Sequence, residues 1–584
     1  MTIWEYNPPP AELVRKYRKE LHVGNTIAEL LARLDFSSIE EARGFLDPRL
    51  SGIGDPYGVA NLETAAKRIS QAIDDRQRIV ICGDYDVDGV TSTALLVAIL
   101  RRFGTYPDFI VPLRLEEGYG LTRKAAERAL VSGNQPDLFI ALDCGTNSIE
   151  EAQLILDTGC DLVIVDHHQS KETLPEGVIL VNPHVHKGEK ACQSTLCTVG
   201  LVFKLAHGLL KHRREKADTR AFEIKLRHYL DLVSMGTVAD LVPLRNENRI
   251  FARIGLQELA KTQKVGLRSL MKVAGVQSNF GVKPMDVSFR LGPRINASGR
   301  LADAAVAVEL LLGDDRSFCM ETSLELDSFN RERQEIEKEI TDEAMKQIEA
   351  TQKENVGLVV YGEDWHPGVV GIVASRVSKA YNRPAIVLGT EGVFAKGSGR
   401  SIEGINLVEA LSGFSERLES WGGHPMAVGI SLAEENVDDF REYFDNAIRE
   451  YLATHELHRT IRISGWMRLE EANERFLDEL EKLEPFGQEN PEPIFGIKGV
   501  VFKLRPQIFK DQHFRFSLND KKGRSVSGVA WKMAERIPPM NTEVEIACRL
   551  AWTAASGAQK SPFAASAKIS LSSVRPETAW RSRS

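Results

Sequence analysis

Little in this chain ties it to a membrane or an oxidising compartment. No uninterrupted apolar run approaches the ~18 residues of a membrane span. The N-terminus, MTIWEYNPPP, lacks a basic segment leading into an apolar one. The seven cysteines are scattered and odd in number, which is no disulfide framework for 584 residues. They read as reduced thiols, and a cytoplasmic location is expected. Cys192 and Cys197 stand C-x4-C with no second pair, which falls short of a zinc site. Net positive charge is also lacking: the chain carries −8, which speaks against a general nucleic-acid binder.

That average hides a division. From Phe495 to Ser584 sixteen Lys and Arg face six Asp and Glu, a surplus of ten that leaves −18 on the preceding residues. Single cores rarely grow past ~250 to 300 residues, so several folding units are expected. The pattern implies an α/β multidomain chain: an N-terminal extension over 1–60, a parallel-sheet catalytic domain over 61–313 and a connecting helix over 314–355. A second α/β domain follows over 356–455, and a basic OB-like β domain over 456–584. The connecting helix is read from apolar residues Phe318 to Ile348 near helical spacing, with no Gly or Pro between them.

Within residues 65–200, RIVIC, DLFIALD and DLVIVD alternate with helical patterns, as βαβ units do. In an open parallel sheet, ligands bind beyond the carboxyl ends of the strands. There the first run leads into GDYDVDG with Asp84, Asp86 and Asp88, the second into Asp143, the third into Asp166, His167 and His168. If the GDYDVDG segment stays extended, its three aspartates share one side. Carboxylates crowded together raise one another's pKa unless a cation is bound. Hard oxygen donors with one or two imidazoles suit Mn2+ or Mg2+, and a pair of such ions suits hydrolysis of a phosphoester. Taken singly, an Asp after a strand is usually a helix cap and an HH pair usually a surface feature.

DYDVDG, the D-x-G element and DHH together resemble the DHH phosphoesterase superfamily. RLEEGYGL, GTVADLVPL, GPRINASGR, HPGVVGIVASR, GSGRS and GGHPMAVG narrow the resemblance to the RecJ single-stranded-DNA exonucleases, across nearly the whole chain. The resemblance implies a DHH-type catalytic domain, a DHH-associated domain and an OB-like barrel. It implies metal ligation of two Mn2+ or Mg2+ ions by Asp86, Asp88, Asp143, His167 and Asp240, with Asp143 bridging. Asp84 then supports the ligands and His168 contacts the scissile phosphate. Arg294 and Arg300 offer guanidinium forks to phosphate oxygens. Arg114, Ser398 and Arg400 are assigned to the 5′ end, and His424 to the substrate groove.

The implied activity is metal-dependent 5′-to-3′ hydrolysis of single-stranded DNA to mononucleotides, in repair and recombination. A helicase or single-strand-binding protein is the expected partner, and the protein is expected to be a monomer. Alternatives are a DHH phosphodiesterase on short oligonucleotides or cyclic dinucleotides, and a non-catalytic replication scaffold. Two positions depart from the family pattern. Cys82 stands where several relatives have histidine, and Glu489 where glycine is usual.

In the C-terminal region FKLRPQIF, HFRFSL and EVEIACRLAW read as strands that interleave aromatic and basic residues, as a strand-binding OB barrel does. Phe514 and Arg515 are expected to contact the substrate. At least half of Phe502, Phe509, Phe514, Phe516, Trp531 and Trp552 are expected to be core.

Overall fold

Short continuous apolar runs suit strands covered on both faces, and the computed structural model covers them so. It describes residues 3–114, 116–131, 135–185, 195–455, 457–458, 460–519, 525–552 and 567–576. Cys192 lies outside them. Asp108–Ile110, Ile79–Gly83, Leu138–Leu142, Asp161–Val165 and Ile179–Val181 form a five-stranded parallel sheet in that spatial order. Period-2 alternation sends Ile79, Ile81, Ile140 and Val163 into one core, shared with the helices Leu62–Asp74, Val87–Arg102 and Thr198–Glu215. Val80, Phe139 and Ile164 face the opposite core, with Ala126 and Ala152.

The helix Arg316–Thr351 runs for 36 residues, and Asp315 caps it by accepting the Phe318 amide. Its first half buries Cys319 and Leu326 in the core of the parallel sheet. Its second half buries Ile340, Ala344 and Ile348 in the next unit. That unit is a five-stranded mixed sheet built on Leu358–Gly362 and Ala385–Glu391, which are parallel. The glycine-rich stretches are strands here. Phe394–Arg400 and Ser420–His424 flank Ala427–Ala433, antiparallel to it. A side chain at Gly397 would place Cβ 1.9 Å from the Val387 carbonyl, so the close strand approach requires glycine.

The C-terminal sheet has seven strands, from Gly465–Met467 at one edge to Gln507–Phe509 at the other. HFRFSL and EVEIACRLAW are strands as expected, within His513–Asn519 and Glu543–Trp552. FKLRPQIF is not one: only Gln507–Phe509 is extended, because Pro506 withholds a ladder hydrogen bond. The core of this sheet is shared with the beginning of the chain. Val14, Tyr17, Ile27, Leu31 and Phe45 pack with Leu477, Phe495, Phe514 and Ile546, and Ile3–Glu5 pairs in parallel with Thr460–Arg462. Glu489 adopts φ 55°, a left-handed conformation that glycine accepts more readily. Among the described residues no helix is long and apolar enough to cross a membrane.

Candidate active site

The carboxyl ends of the three central strands meet at one rim. The strand carrying RIVIC ends at Gly83, and the helix Val87–Arg102 begins three residues after Asp84. Asp86 starts it, because its Oδ1 accepts the amides of Asp88 and Gly89 at 2.8 and 3.1 Å. The three aspartates therefore do not sit on one extended strand, as simple alternation suggests. Asp88 belongs to the first helical turn, and its two oxygens accept the Thr198 and Val199 amides at 2.7 and 2.8 Å. Asp143 takes φ 64° and its Oδ1 accepts the Thr198 hydroxyl at 2.8 Å. Asp240 follows the helix Leu230–Ala239, whose Gly236 leaves room for the Asp88 carboxylate: a Cβ there would lie 2.8 Å from Oδ1.

Among the described residues three groups offer ligand atoms that lie within 4.8 Å of one another inside each group: Asp84, Asp86 and Asp143; Asp143, His167 and His168; Asp88, Cys197 and Asp240. Asp143 belongs to two of them. His167 Nε2 lies 3.5 Å from Asp143 Oδ1, 3.4 Å from Asp240 Oδ2 and 3.9 Å from Asp88 Oδ2. Burial, and then the neighbouring His168, lower its pKa to about 4, so it stands as a neutral imidazole, the form that ligates metals.

The carboxylates are strongly perturbed by burial and by one another. Burial first, and Asp86 second, raise Asp84 and Asp88 to about 7 each. Burial and then Asp88 raise Asp240 to about 9, and the same two causes hold Asp143 well above the usual range. Both oxygens of Asp84 and Oδ2 of Asp240 are buried without a hydrogen-bond partner among the described residues. Unpaired buried carboxylates are costly. A divalent cation would relieve every one of these conditions, so the donor set fits Mn2+ or Mg2+.

Asp166 organises the histidines. Its Oδ1 accepts the amides of His167 and His168 and lies 2.7 Å from His168 Nδ1, while Oδ2 accepts the Thr146 amide. Burial alone would lower the pKa of His168, but the Asp166 hydrogen bond and charge raise it to about 9. Cys82 is fully buried beside this rim and supplies no member of the three groups.

A cationic cluster lies where the two α/β units meet. Arg114 sits 5.2 Å over the Tyr85 ring, and its Nη1 is buried without a partner among the described residues. Burial, then Arg114, Arg333 and Arg400, lower the pKa of Arg300, which donates to the Gly368 carbonyl of the second unit. The helix Val370–Tyr381 points its N-terminal turn at the same place. A Cβ on Gly371 would lie 3.2 Å from Ser398 Oγ and 3.4 Å from Arg400 Nη2. Ser398 and Arg400 alternate along one strand, and Ala427 is paired on one side with Arg400 and on the other with His424. His424 is exposed. Helix N-terminus, guanidinium groups and hydroxyl together make a receptor for an anionic group.

Two expected residues are placed elsewhere. Arg294 is bonded to Asp327 of the connecting helix at 2.7 Å and to the Arg290 carbonyl, so its fork is already occupied. Phe514 is fully buried in the C-terminal core and presents no face to a base, because it alternates with Arg515 on opposite sides of the strand. The exposed aromatic surface nearby is Trp531, ringed by Phe509 at 5.8 Å and His513 at 4.9 Å, with Arg515 4.9 Å over Phe509. The side chain of Trp552 lies outside the described residues. Asp166, Thr198 and Gly371 were not singled out as site residues by sequence. Asp166 had a signal, as the first letter of DHH, and Gly371 had one inside HPGVVGIVASR, whereas the TVG that holds Thr198 is an ordinary helix opening.

Comparison with known proteins gives the class first. Residues 78–237 match the DHH family N-terminal domain, 354–450 the DHHA1 domain and 463–563 the RecJ OB domain. The chain is 36% identical to a single-stranded-DNA-specific exonuclease RecJ of Bacillus subtilis over 86% of its own length, spanning 62% of that longer protein. It is 34% identical to the RecJ of Haemophilus influenzae, covering 89% of this chain and 93% of that one. The crystal structure of Thermus thermophilus RecJ in complex with Mn2+ superposes with a TM-score of 0.81 at 29% identity, over 99% of this chain and 80% of that one. A Mg2+ complex of the same protein gives 0.75. The chain belongs to the RecJ family of single-stranded-DNA-specific exonucleases.

Proposed function

We propose that the protein is a metal-dependent 5′-to-3′ exonuclease that hydrolyses single-stranded DNA to mononucleotides. The observation that carries this reading is the adjacency of a carboxylate–imidazole rim to a cationic cluster of Arg114, Arg300 and Arg400 beside Ser398. Asp86, Asp88, Asp143, His167 and Asp240 would hold two divalent ions, with Asp143 shared and Asp84 beside them. Bound there, the ions would supply Lewis-acid neutralisation at phosphorus and activation of water. The chain's own residues do the positioning. The Thr198 hydroxyl and the amides of Thr198 and Val199 orient Asp143 and Asp88. Asp166 keeps His168 charged and directed, so that its imidazolium can hydrogen-bond a phosphate oxygen and hold a proton near the leaving oxygen. The arginine cluster would fix the 5′ end, setting the cut one nucleotide inward.

The basic C-terminal domain supports a polymeric substrate over a cyclic dinucleotide, and the intact ligand set speaks against a scaffold. In this reading Trp531, Phe509 and Arg515, with Phe514 only as their support, hold the strand away from the cut. We further infer action as a monomer in the cytoplasm, in repair and recombination, alongside a helicase or single-strand-binding protein. The test is purified protein with Mn2+ or Mg2+ on end-labelled single-stranded and duplex DNA, with Asp143→Ala as control. Mononucleotide release from single strands alone, lost in the variant, supports the reading. Equal cutting of duplex, or an active variant, refutes it.

A further inference from the structure

Cys197 stands at a position that favours a different residue. It is the N-cap of the helix Thr198–Glu215, where Ser, Thr, Asp or Asn would accept a backbone amide, and its side chain makes no such bond. The thiol is fully buried and serves the rim instead. Its Sγ belongs with Asp88 and Asp240 to a set whose ligand atoms all lie within 4.8 Å of one another. It hydrogen-bonds the Asp88 carboxylate and lies 3.6 Å from Thr237 Oγ1. A thiol is a weak donor, so these bonds contribute little. Asp240 Oδ2, beside it, is buried without a hydrogen-bond partner among the described residues. A fourth donor approaches the same two carboxylates: His167 Nε2 lies 3.4 Å from Asp240 Oδ2 and 3.9 Å from Asp88 Oδ2.

Resting on the two-metal site read above, we propose that Cys197 supplies a sulfur ligand for thiophilic divalent ions, Zn2+ and Co2+, beside Asp88 and Asp240, and that Zn2+ held there arrests the enzyme. The donors are Cys197 Sγ, His167 Nε2 and one oxygen each of Asp88 and Asp240. These are the atom types zinc takes, and four of them fill a tetrahedral shell. The group of Asp84, Asp86 and Asp143 offers oxygen alone, so the two sides of the rim differ in softness. Mg2+ selects oxygen ligands in octahedral geometry and gains nothing from sulfur, whereas a thiolate favours zinc. A catalytic ion keeps one position open for water or substrate, and a shell closed by four protein ligands leaves none. Binding displaces the thiol proton to solvent and changes no other covalent bond.

The experiment titrates the metal-free full chain with Co2+ in the absence of DNA and follows the near-ultraviolet charge-transfer absorption that a thiolate ligand gives. Wild type is expected to develop the band and Cys197→Ser to lose it. The variant should also hold Zn2+ at least about tenfold more weakly in competition with a chelating dye, because even residues behind a ligand cost that much. Cys82→Ser and Cys144→Ser should keep the band, which assigns it to Cys197 even if Cys197→Ser fails to fold. No band in wild type, a band retained in Cys197→Ser, or one lost with Cys82 or Cys144 overturns the proposal. Saturating Zn2+ added to the Mn2+ hydrolysis assay is expected to stop cleavage, and undiminished cleavage overturns the arrest. The Co2+ spectrum needs no DNA. A chain that binds Co2+ through Cys197 and leaves single strands uncut with Mn2+ therefore counts against the exonuclease reading alone.

Discussion

The guanidinium of Arg249 lies 3.5 Å over the ring of Phe45, in a junction that joins the catalytic domain to both ends of the chain. Arg249 is 1% exposed and has no carboxylate partner among the described residues. It donates to the carbonyls of Phe45, Lys482 and Glu484, at the C-terminal ends of two helices whose dipoles favour a cation. Arg245 and Arg253, one turn to either side, lie over Phe36 and bond Glu481 respectively. Arg249→Ala is expected to destabilise the protein by about 3–5 kcal/mol, because it strands buried carbonyls. Limited proteolysis should then release the C-terminal sheet before the catalytic domain is cut.

Apo stability should fall as pH rises. Asp84, Asp88 and Asp240 have folded pKa values raised to about 7, 7 and 9. The folded state therefore binds more protons than the unfolded one, between the ordinary carboxylate range and those values, and loses stability across that window. The thermal midpoint of metal-free protein is expected to drop by several degrees from pH 6 to 9. Saturating Mn2+ should abolish the drop, since it binds the ionised folded form.

Gly371 should tolerate no side chain without loss of end recognition. Its missing Cβ leaves the space between Ser398 Oγ and Arg400 Nη2 open. If the cluster holds the 5′ end as proposed, Gly371→Ala is expected to weaken binding of a 5′-phosphorylated strand by roughly tenfold, equivalent to about 1.4 kcal/mol, and that of a 5′-hydroxyl strand by less. Competition between the two substrates checks this directly.

Phe514 and Trp531 should separate stability from grip. Phe514→Ala removes a fully buried ring and is expected to cost about 3–5 kcal/mol of stability. Trp531→Ala removes an exposed ring and should leave stability intact, while weakening binding of long strands by about 1–3 kcal/mol. Hydrolysis of very short strands should not change. Melting curves and binding isotherms for both variants distinguish the roles.

The strands and their rim were legible because burial on both faces leaves an unbroken apolar run that stops where the chain becomes polar. The acids at those stops were legible for the same reason. The direction of Asp88 was not, because Asp86 begins a helix at once and turns the backbone out of extension. The pairing of Arg294 was not legible, because a guanidinium between glycine-rich neighbours looks the same in sequence whether it meets phosphate or Asp327. Phe514 carried its own correction: in FRF, alternation alone separates the arginine from both rings. Arg249 left no trace, since a cation held by carbonyls has no partner residue for a sequence to show.

The core shared by Val14 to Phe45 with Phe495 to Leu571 also bears on how the protein is made. On the ribosome the helices between Val14 and Phe45 wait for the sheet that covers them until more than four hundred further residues have followed. Both α/β units can close in that interval, because their own cores are complete without them. This segment is therefore buried long after it is synthesised, and until then it is a part of the nascent chain in need of protection from aggregation.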